Sequence, residues 1–131
     1  MILDTSAVIA ILRDEPESPL FTKAIEKAPH RRISAVNYVE AAIVIDISRD
    51  PIASRRFDEL LQEAEVTVES VTDDQARVAR DAYRDFGKGS GHPAKLNFGD
   101  CFAYALAKTR REPILFKGDD FAQTDAMAAV P

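Results

Sequence analysis

The sequence lacks the residues that several common kinds of fold and site require. Its single cysteine excludes a disulfide framework and a zinc site built on cysteines. The two histidines, His30 and His92, share no ligand spacing, which argues against a zinc site built on histidines. With 5 glycines and 7 prolines among 131 residues, the chain is neither collagen-like nor of low complexity. The composition, 46% hydrophobic and 30% charged, is instead typical of a folded domain.

Long hydrophobic runs are missing as well. No stretch approaches the ~20 apolar residues of a membrane-spanning helix, and the start lacks the charged and then apolar segments of a secretory signal. We therefore expect a cytoplasmic protein with no membrane association. The length is below the roughly 150 residues usually allotted to one domain, and the chain has neither a repeat nor a linker. Residues 1–131 are accordingly predicted to form a single domain.

The chain also has no excess of positive charge. Lysine and arginine number 17 against 22 aspartates and glutamates, which gives a formal net charge of −5. This is the wrong sign for a protein that binds nucleic acid through its overall charge. Either the partner is not a polyanion, or basic groups act locally and metal ions offset clustered acids.

Short apolar strands and helices alternate along the chain. Strands are predicted near residues 1–4, 31–34, 66–68 and 113–116. Helices are predicted over residues 7–12, 17–28, 37–48, 52–64, 73–86 and 100–110. Residues 87–97 are predicted to form a loop, because they include three of the five glycines and few apolar side chains. The alternation predicts an α/β sandwich with a mainly parallel sheet.

Asp4 is the first acid along the chain that stands where a functional site is expected. It follows the first apolar strand and is therefore expected at the carboxyl edge of a parallel sheet, where α/β folds place their sites. Its alternative role is to cap the next helix, although Thr5 and Ser6 could cap that helix equally well. Both roles are compatible with its position.

Glu40 lies in an apolar stripe of the helix predicted over residues 37–48. On a helical wheel it lies on the same face as Ile43 and Ile47. A carboxylate among apolar side chains is costly unless it is paired or bound to a metal. The alternative is a capping box, in which Glu40 turns back toward a helix start at Asn37.

Asp100 repeats this pattern at the start of a strongly apolar helix. Its neighbours on the helical wheel are Ala103, Tyr104 and Ala107, which are small or aromatic and carry no charge. An acid in the first turn gains roughly a few tenths of a kcal/mol from the helix dipole. A buried helix start is therefore a costly place for an acid that has no other role.

Three more acids, Asp119, Asp120 and Asp125, follow the last predicted strand at its carboxyl end. Separate segments of the chain thus direct carboxylates to one edge of the predicted sheet. Oxygen ligands without histidine or cysteine suit Mg²⁺ or Mn²⁺ rather than zinc. Ions held in this way can activate water and neutralise the charge of a phosphoryl group.

Several motifs stand in a fixed order along the chain. They are Asp4-Thr5-Ser6-Ala7 after a strand, Glu40 in an early helix, and Leu96-Asn97-Phe98-Gly99-Asp100-Cys101 at the start of a late helix. Together they resemble the PIN-domain family. The ending Leu115-Phe116-Lys117-Gly118-Asp119-Asp120-Phe121, followed by Thr124-Asp125, is similar to its VapC branch, the toxins of VapBC toxin–antitoxin modules. The resemblance covers essentially the whole chain.

The resemblance implies a Mg²⁺- or Mn²⁺-dependent endoribonuclease that acts as the toxin of a type II toxin–antitoxin system. It also implies a homodimer that a cognate VapB antitoxin inhibits. The fold it implies is a PIN-like α/β/α sandwich with a mainly parallel sheet of about five strands.

Carried over to this sequence, the three most constant acids of the family match Asp4, Glu40 and Asp100. The resemblance makes Asp4 and Asp100 the main ligands of a Mg²⁺ ion that carries the attacking water. Glu40 would bind a second ion, directly or through water, or would orient the attacking water. Ser6 matches a hydroxyl position beside the site.

The fourth acid of the family pattern has more than one candidate in this chain. Alignment through Phe121 favours Asp119, while Asp120 and Asp125 stay open. This ambiguity concerns the second metal position and not the first.

The RNA would have to be bound by local basic groups, because the net charge is negative. Arg31, Lys88 and Lys95 are predicted to contact phosphates, which would make binding dependent on salt.

Two other functions are compatible with part of the pattern. A haloacid-dehalogenase-type phosphohydrolase also has an aspartate after its first strand, but it needs a second aspartate two residues later, where this chain has Ser6. A catalytically silent PIN-like binding module would have lost one or more acids, whereas all are present here.

Overall fold

A computed structural model describes residues Met1–Pro131. Its four short strands are β1 (Ile2–Leu3), β2 (Arg32–Ser34), β3 (Thr67–Glu69) and β4 (Ile114–Leu115). Its six helices are α1 (Thr5–Leu12), α2 (Ser18–Lys27), α3 (Ala35–Asp46), α4 (Pro51–Glu63), α5 (Asp73–Phe86) and α6 (Phe98–Arg110). A 3₁₀ turn, Phe121–Gln123, follows the last strand.

The strands form one sheet in the order β3-β2-β1-β4, and every neighbouring pair is parallel. This confirms the predicted α/β fold class. The sheet has four strands where about five were expected. Beside β4, Ile114 makes a single parallel bridge to Ala128, so the end of the chain extends the sheet without forming a further strand.

Side chains of the sheet alternate between two apolar layers, as a period of two requires. Leu3, Ile33 and Leu115 face a layer formed with helices α1 to α4. Ile2 and Ile114 face the opposite layer, which is formed mainly with α5 and α6. The alternation therefore places helices on both faces of the sheet and gives the α/β/α sandwich.

Parallel strands bring their carboxyl ends to one edge, and two helices begin there directly. Asp4 caps α1 immediately after β1, and Ser34 caps α3 at the end of β2. Because these strand-to-helix connections have almost no loop, side chains in the first turns of α1 and α3 are held close to the edge of the sheet. Helix α6 packs against α3 and β1 and brings its first turn to the same edge.

Around the amino ends of β1 and β2 the charges are paired. The amino group of Met1 lies 2.5 Å from Glu112 Oε1, and Arg32 binds Glu112 at 2.8 Å and Glu69 at 2.7 Å. Arg110 also binds Glu69, at 3.1 Å. Glu112 and Glu69 are thus neutralised by cations of the chain itself.

No helix in the structure combines the length and the apolar character needed to cross a membrane.

Candidate active site

An acidic cleft of about 300 Å³ opens at the carboxyl edge of the sheet. Four carboxylates line it, those of Asp4, Glu40, Asp100 and Asp120. The first three come from α1, α3 and α6 or their caps, so the fold brings together the three acids that the sequence predicted.

Asp4 is both a helix cap and a cleft residue. Its side chain is 3% exposed, and its Oδ2 accepts hydrogen bonds from the Ser6 amide at 3.0 Å and the Ser6 hydroxyl at 2.6 Å. Its Oδ1 is buried and has no hydrogen-bond partner. Burial raises the pKa of Asp4 to about 6 against the lowering effect of Ser6, and the charge of Glu40 adds to the rise. Asp4 therefore caps α1 and also lines the cleft.

Glu40 faces the cleft and does not cap its helix. Helix α3 is capped by Ser34, whose side chain accepts from the amide of Val36, so the predicted capping box starting at Asn37 is wrong. Asn37 is instead buried and donates to the Gly99 carbonyl at 3.0 Å. Thr5 Oγ1 donates to Glu40 Oε1 at 2.5 Å and so fixes the carboxylate against α1.

Gly99 is a site residue that sequence reasoning missed. A Cβ at this position would overlap the carboxylate of Glu40, so any other residue would displace that carboxylate from its present position. The signal was present in the Gly99-Asp100 pair, which the sequence analysis took only as part of a motif. The glycine thus leaves room for the Glu40 carboxylate beside the start of α6.

Asp100 forms a reciprocal cap with Asn97 at the start of α6. The Asp100 amide donates to Asn97 Oδ1 at 2.8 Å, and the Asn97 amide donates to Asp100 Oδ2 at 2.9 Å. The side chain is 8% exposed. Burial raises the pKa of Asp100 to about 7, and the nearby charges of Asp4, Asp120 and Glu40 contribute to the rise. Asp4 and Asp100 are therefore two buried acids that repel each other.

The last segment of the chain supplies Asp120 to the cleft, and not Asp119. Asp119 is exposed and lies outside the cleft lining, so the structure does not place the acid favoured by alignment in the site. Asp125 lies elsewhere, where it accepts from Lys108 at 2.7 Å and from Tyr104 at 2.6 Å. Those two contacts lower the pKa of Asp125.

The three basic residues predicted to contact RNA lie outside the cleft. Arg31 precedes β2, at the opposite edge of the sheet, and its guanidinium donates to the carbonyls of Ile25 at 2.8 Å and Ala64 at 3.3 Å. Lys88 and Lys95 are exposed in the loop between α5 and α6. Arg31 is thus held by backbone carbonyls, while the two lysines are open to solvent beyond the cleft.

Lys117 is the one basic side chain that lines the cleft, and no local pattern in the sequence indicated a role for it. Its amide donates to Ser6 Oγ at 3.0 Å, which places its backbone next to the hydroxyl that binds Asp4. Ser6, which was predicted to lie beside the site, lines the cleft.

The cleft does not contain a ready-made cage of three acidic or histidine ligands for one ion. Its donors nevertheless suit Mg²⁺, which in proteins is commonly held by one or two carboxylates and completes its coordination with water. Asp4 Oδ1 is a buried carboxylate oxygen without a partner, and such an atom is costly unless a cation or a proton satisfies it. The residues present therefore fit a Mg²⁺ or Mn²⁺ ion.

An apolar groove of about 540 Å³ adjoins the cleft along α3. We call it the α3 surface and define it by Val36, Val39, Ile43, Val44 and Phe98. The apolar stripe predicted around Glu40 exists, but it faces solvent: Ile43 is 58% exposed. Exposed apolar patches of this kind mark interaction sites more often than free surface.

Comparison with known proteins places these features in a family. The family model described as PIN domain matches residues 1–127. Ribonuclease VapC28 of Mycobacterium tuberculosis is 58% identical over 130 residues, which cover 99% of this chain and 98% of the relative. Ribonuclease VapC42 of the same organism is 50% identical over 129 residues, covering 98% of each chain.

Two solved structures share the fold. Mycobacterium tuberculosis VapC20, described as a sarcin-ricin loop cleaving toxin, has a TM-score of 0.76 at 16% identity and covers 99% of this chain and 98% of its own. A toxin–antitoxin complex from Klebsiella pneumoniae has a TM-score of 0.74 at 17% identity and covers 97% of this chain and 94% of its own.

Proposed function

The chain belongs to the PIN-domain family and is a ribonuclease toxin of the VapC type, and we propose that it hydrolyses RNA with a divalent ion held by Asp4 and Asp100. One observation carries the proposal. Asp4 has a buried, unpartnered oxygen in the same cleft as Asp100, whose carboxyl is also buried. Two such carboxylates need a cation when both are ionised, and Mg²⁺ or Mn²⁺ has the matching chemistry.

When bound, the ion supplies an activated water and offsets the charge that develops on the phosphoryl group. The chain's own residues hold the carboxylates ready for it. Ser6 orients Asp4 through two hydrogen bonds, and Asn97 orients Asp100 through its amide. Thr5 holds Glu40, which we propose positions the water or a second ion. Asp120 takes the place of the fourth acid.

The proposal predicts that the cleft acids are required for cleavage. Asp4→Asn and Asp100→Asn should each lower the rate at which new ends appear in total bacterial RNA by on the order of 100-fold or more, because a bound ion stabilises the transition state by several kcal/mol. EDTA should stop cleavage, and Mg²⁺ or Mn²⁺ should restore it. Calorimetric titration with Mn²⁺ should show binding to the wild type that Asp4→Asn weakens.

Asp58→Asn is the control, since Asp58 is exposed on α4 and far from the cleft. It should leave both cleavage and Mn²⁺ binding as in the wild type. Full cleavage in EDTA, or full cleavage by Asp4→Asn, would show that the ion is not held as proposed.

We also propose that a VapB-type antitoxin inhibits the enzyme by placing an arginine or lysine in the acidic cleft, while an apolar helix lies near the N-terminal helices. A planar guanidinium can bind two carboxylate oxygens at once, and the cleft offers four carboxylates. The similarity in fold to a toxin–antitoxin complex supports an antitoxin as the partner.

A homodimer is the second partnership that we propose, and the α3 surface is the face that it would bury. This surface is apolar, lies beside the cleft and is open to solvent in the single chain. A self-complementary apolar patch is the usual basis of a two-fold dimer.

A further inference from the structure

Lys117 is a cleft residue to which the proposed function of the carboxylates assigns no role. It follows β4 by two residues and therefore lies at the carboxyl edge of the sheet, on the rim of the acidic cleft. The other charged side chains that line this cleft are all carboxylates. A polyanionic substrate would be repelled by such a lining, so a cation on the rim has a direct use.

The ammonium group of Lys117 is held at the rim by two glutamates. Its Nζ lies 3.1 Å from Glu15 Oε1 and 3.2 Å from Glu17 Oε2, both in the connection between α1 and α2. These contacts raise the pKa of Lys117, so the group stays charged throughout the neutral range. The side chain is 37% exposed and is therefore reachable from solvent.

A partly exposed ion pair of this kind can be exchanged for another contact. Surface pairs contribute about 0–1 kcal/mol to stability, so their loss is a small barrier to a new contact. Lysine carries a compact charge on a flexible stem, which suits binding to a phosphate at a variable position. The backbone of Lys117 meanwhile stays fixed to Ser6.

We propose that Lys117 binds a backbone phosphate of the RNA next to the bond that is cut, and that Glu15 and Glu17 hold the lysine at the rim until RNA displaces them. The inference rests on the proposed ribonuclease function. It assigns to this chain a substrate-binding residue inside the cleft, in addition to the lysines predicted in the loop between α5 and α6.

The test compares a variant that lacks the Lys117 ammonium group with a variant that lacks the carboxylates of Glu15 and Glu17. Cleavage of total bacterial RNA in Mg²⁺ is followed by the appearance of new RNA ends at increasing RNA concentration. Lys117→Met should raise the apparent KM by roughly fivefold to tenfold, because a charge-assisted contact with phosphate is lost. The slope of log affinity against log salt should fall by roughly 0.7, the value for one phosphate contact on a single strand. Lys117→Arg should retain most of the affinity.

The double variant Glu15→Gln with Glu17→Gln breaks the same ion pairs but keeps the cation. It should lower the apparent KM, whereas a lysine that only fastens the α1–α2 connection would give the same defect in both variants. Lys108→Met is a matched control, since Lys108 is paired with Asp125 away from the cleft. It should leave the apparent KM unchanged.

Three results would distinguish a wrong role for Lys117 from a wrong assignment of the ribonuclease function. An unchanged apparent KM and salt slope in Lys117→Met, with active wild type, would overturn the role of Lys117 alone. An equal rise in the apparent KM for Lys117→Met and the double glutamate variant would also overturn it in favour of a structural role. A wild type that cuts no RNA would overturn the ribonuclease function and the inference with it.

Discussion

Asp4 and Asp100 are carboxyls whose protons the folded chain retains more firmly than the unfolded chain. Burial is the main cause, and it raises their pKa values from 3.8 to about 6 and about 7. Well below pH 3.8 these two carboxyls are protonated in both the folded and the unfolded chain, so they cost the metal-free protein no stability. As the pH rises toward 7, the unfolded chain ionises first and stability is lost, until the folded carboxyls ionise too.

Asp100→Asn is expected to stabilise the protein without metal although it abolishes cleavage. At pH 8 in EDTA the free energy of unfolding should rise by roughly 2 kcal/mol, because a buried charge that repels Asp4 is removed and solvent screens part of the effect. The new side chain can still accept from the Asn97 amide. Thermal unfolding in EDTA measures the change.

The pH dependence is the control on this explanation. The gain should vanish near pH 4, where the carboxyl of the wild type is protonated. Asp58→Asn should show no such dependence. A melting temperature at pH 8 that is equal to or below that of the wild type would contradict repulsion between acids in a shared cleft.

At the scale of elements, the turn after β4 decides which acid enters the cleft. Gly118 has φ of +99°, a left-handed conformation that favours glycine, and it redirects the chain just before the two aspartates. The 3₁₀ turn then begins at Phe121, whose buried ring anchors the segment. Within this turn only Asp120 of the two adjacent acids lines the cleft.

Asp119 and Asp120 are therefore expected to respond differently to the same substitution. Asp120→Asn should lower RNA cleavage by roughly tenfold, since it removes a carboxylate that acts on Asp100 and on the bound ion. Asp119→Asn should leave cleavage unchanged, and it serves as the neighbouring control. Initial rates at saturating Mg²⁺ measure both. If Asp119→Asn has the larger defect, the geometry of this turn differs from that described here.

The sequence predicted the sheet edge and three of its acids because strand ends and helix starts carry strong local signals. Asp4 and Asp100 could be found in this way, whereas Glu40 could be found because it interrupts an apolar stripe. The start of α3 could not, since Ser34 and Asn37 are both good caps and only packing against Gly99 buries Asn37. The role of Gly99 itself depends on how closely two distant helices approach, which no local pattern contains.

The hydrophobic periodicity of α3 also could not predict everything about that helix. It identified the apolar stripe around Glu40 but not the direction in which that stripe faces. An apolar stripe can pack against the core of its own chain or against a partner, and the positions of the other helices determine which of the two occurs. The structure directs Val39 and Ile43 outward, so the stripe became evidence for a partner rather than for the core.

At the scale of the whole molecule, the α3 surface should determine the oligomeric state. Ile43→Glu is expected to weaken self-association by on the order of 100-fold, because an unpaired charge in an apolar interface costs several kcal/mol. Ile52→Glu is the matched control, since Ile52 is 68% exposed on α4, outside this surface. Sedimentation equilibrium gives the dissociation constants.

A dimer that persists in Ile43→Glu would show that another face carries the interface. A wild type that stays monomeric at every concentration would remove the dimer from the proposal. In either case the cleft acids lie within one chain, so the predictions for Asp100 and Asp120 stand independently.

The carboxylates at the two ends of the strands differ in whether cations of the chain neutralise them. Around the amino ends its own arginines and amino group neutralise the acids, whereas the cleft leaves Asp4 and Asp100 without a cation. Any solute cation that fills this gap binds the folded chain in preference to the unfolded one, and so it shifts the folding equilibrium with the logarithm of its concentration. With the proposed Mg²⁺ bound in the cleft, the melting temperature of the protein should therefore rise with the concentration of free Mg²⁺.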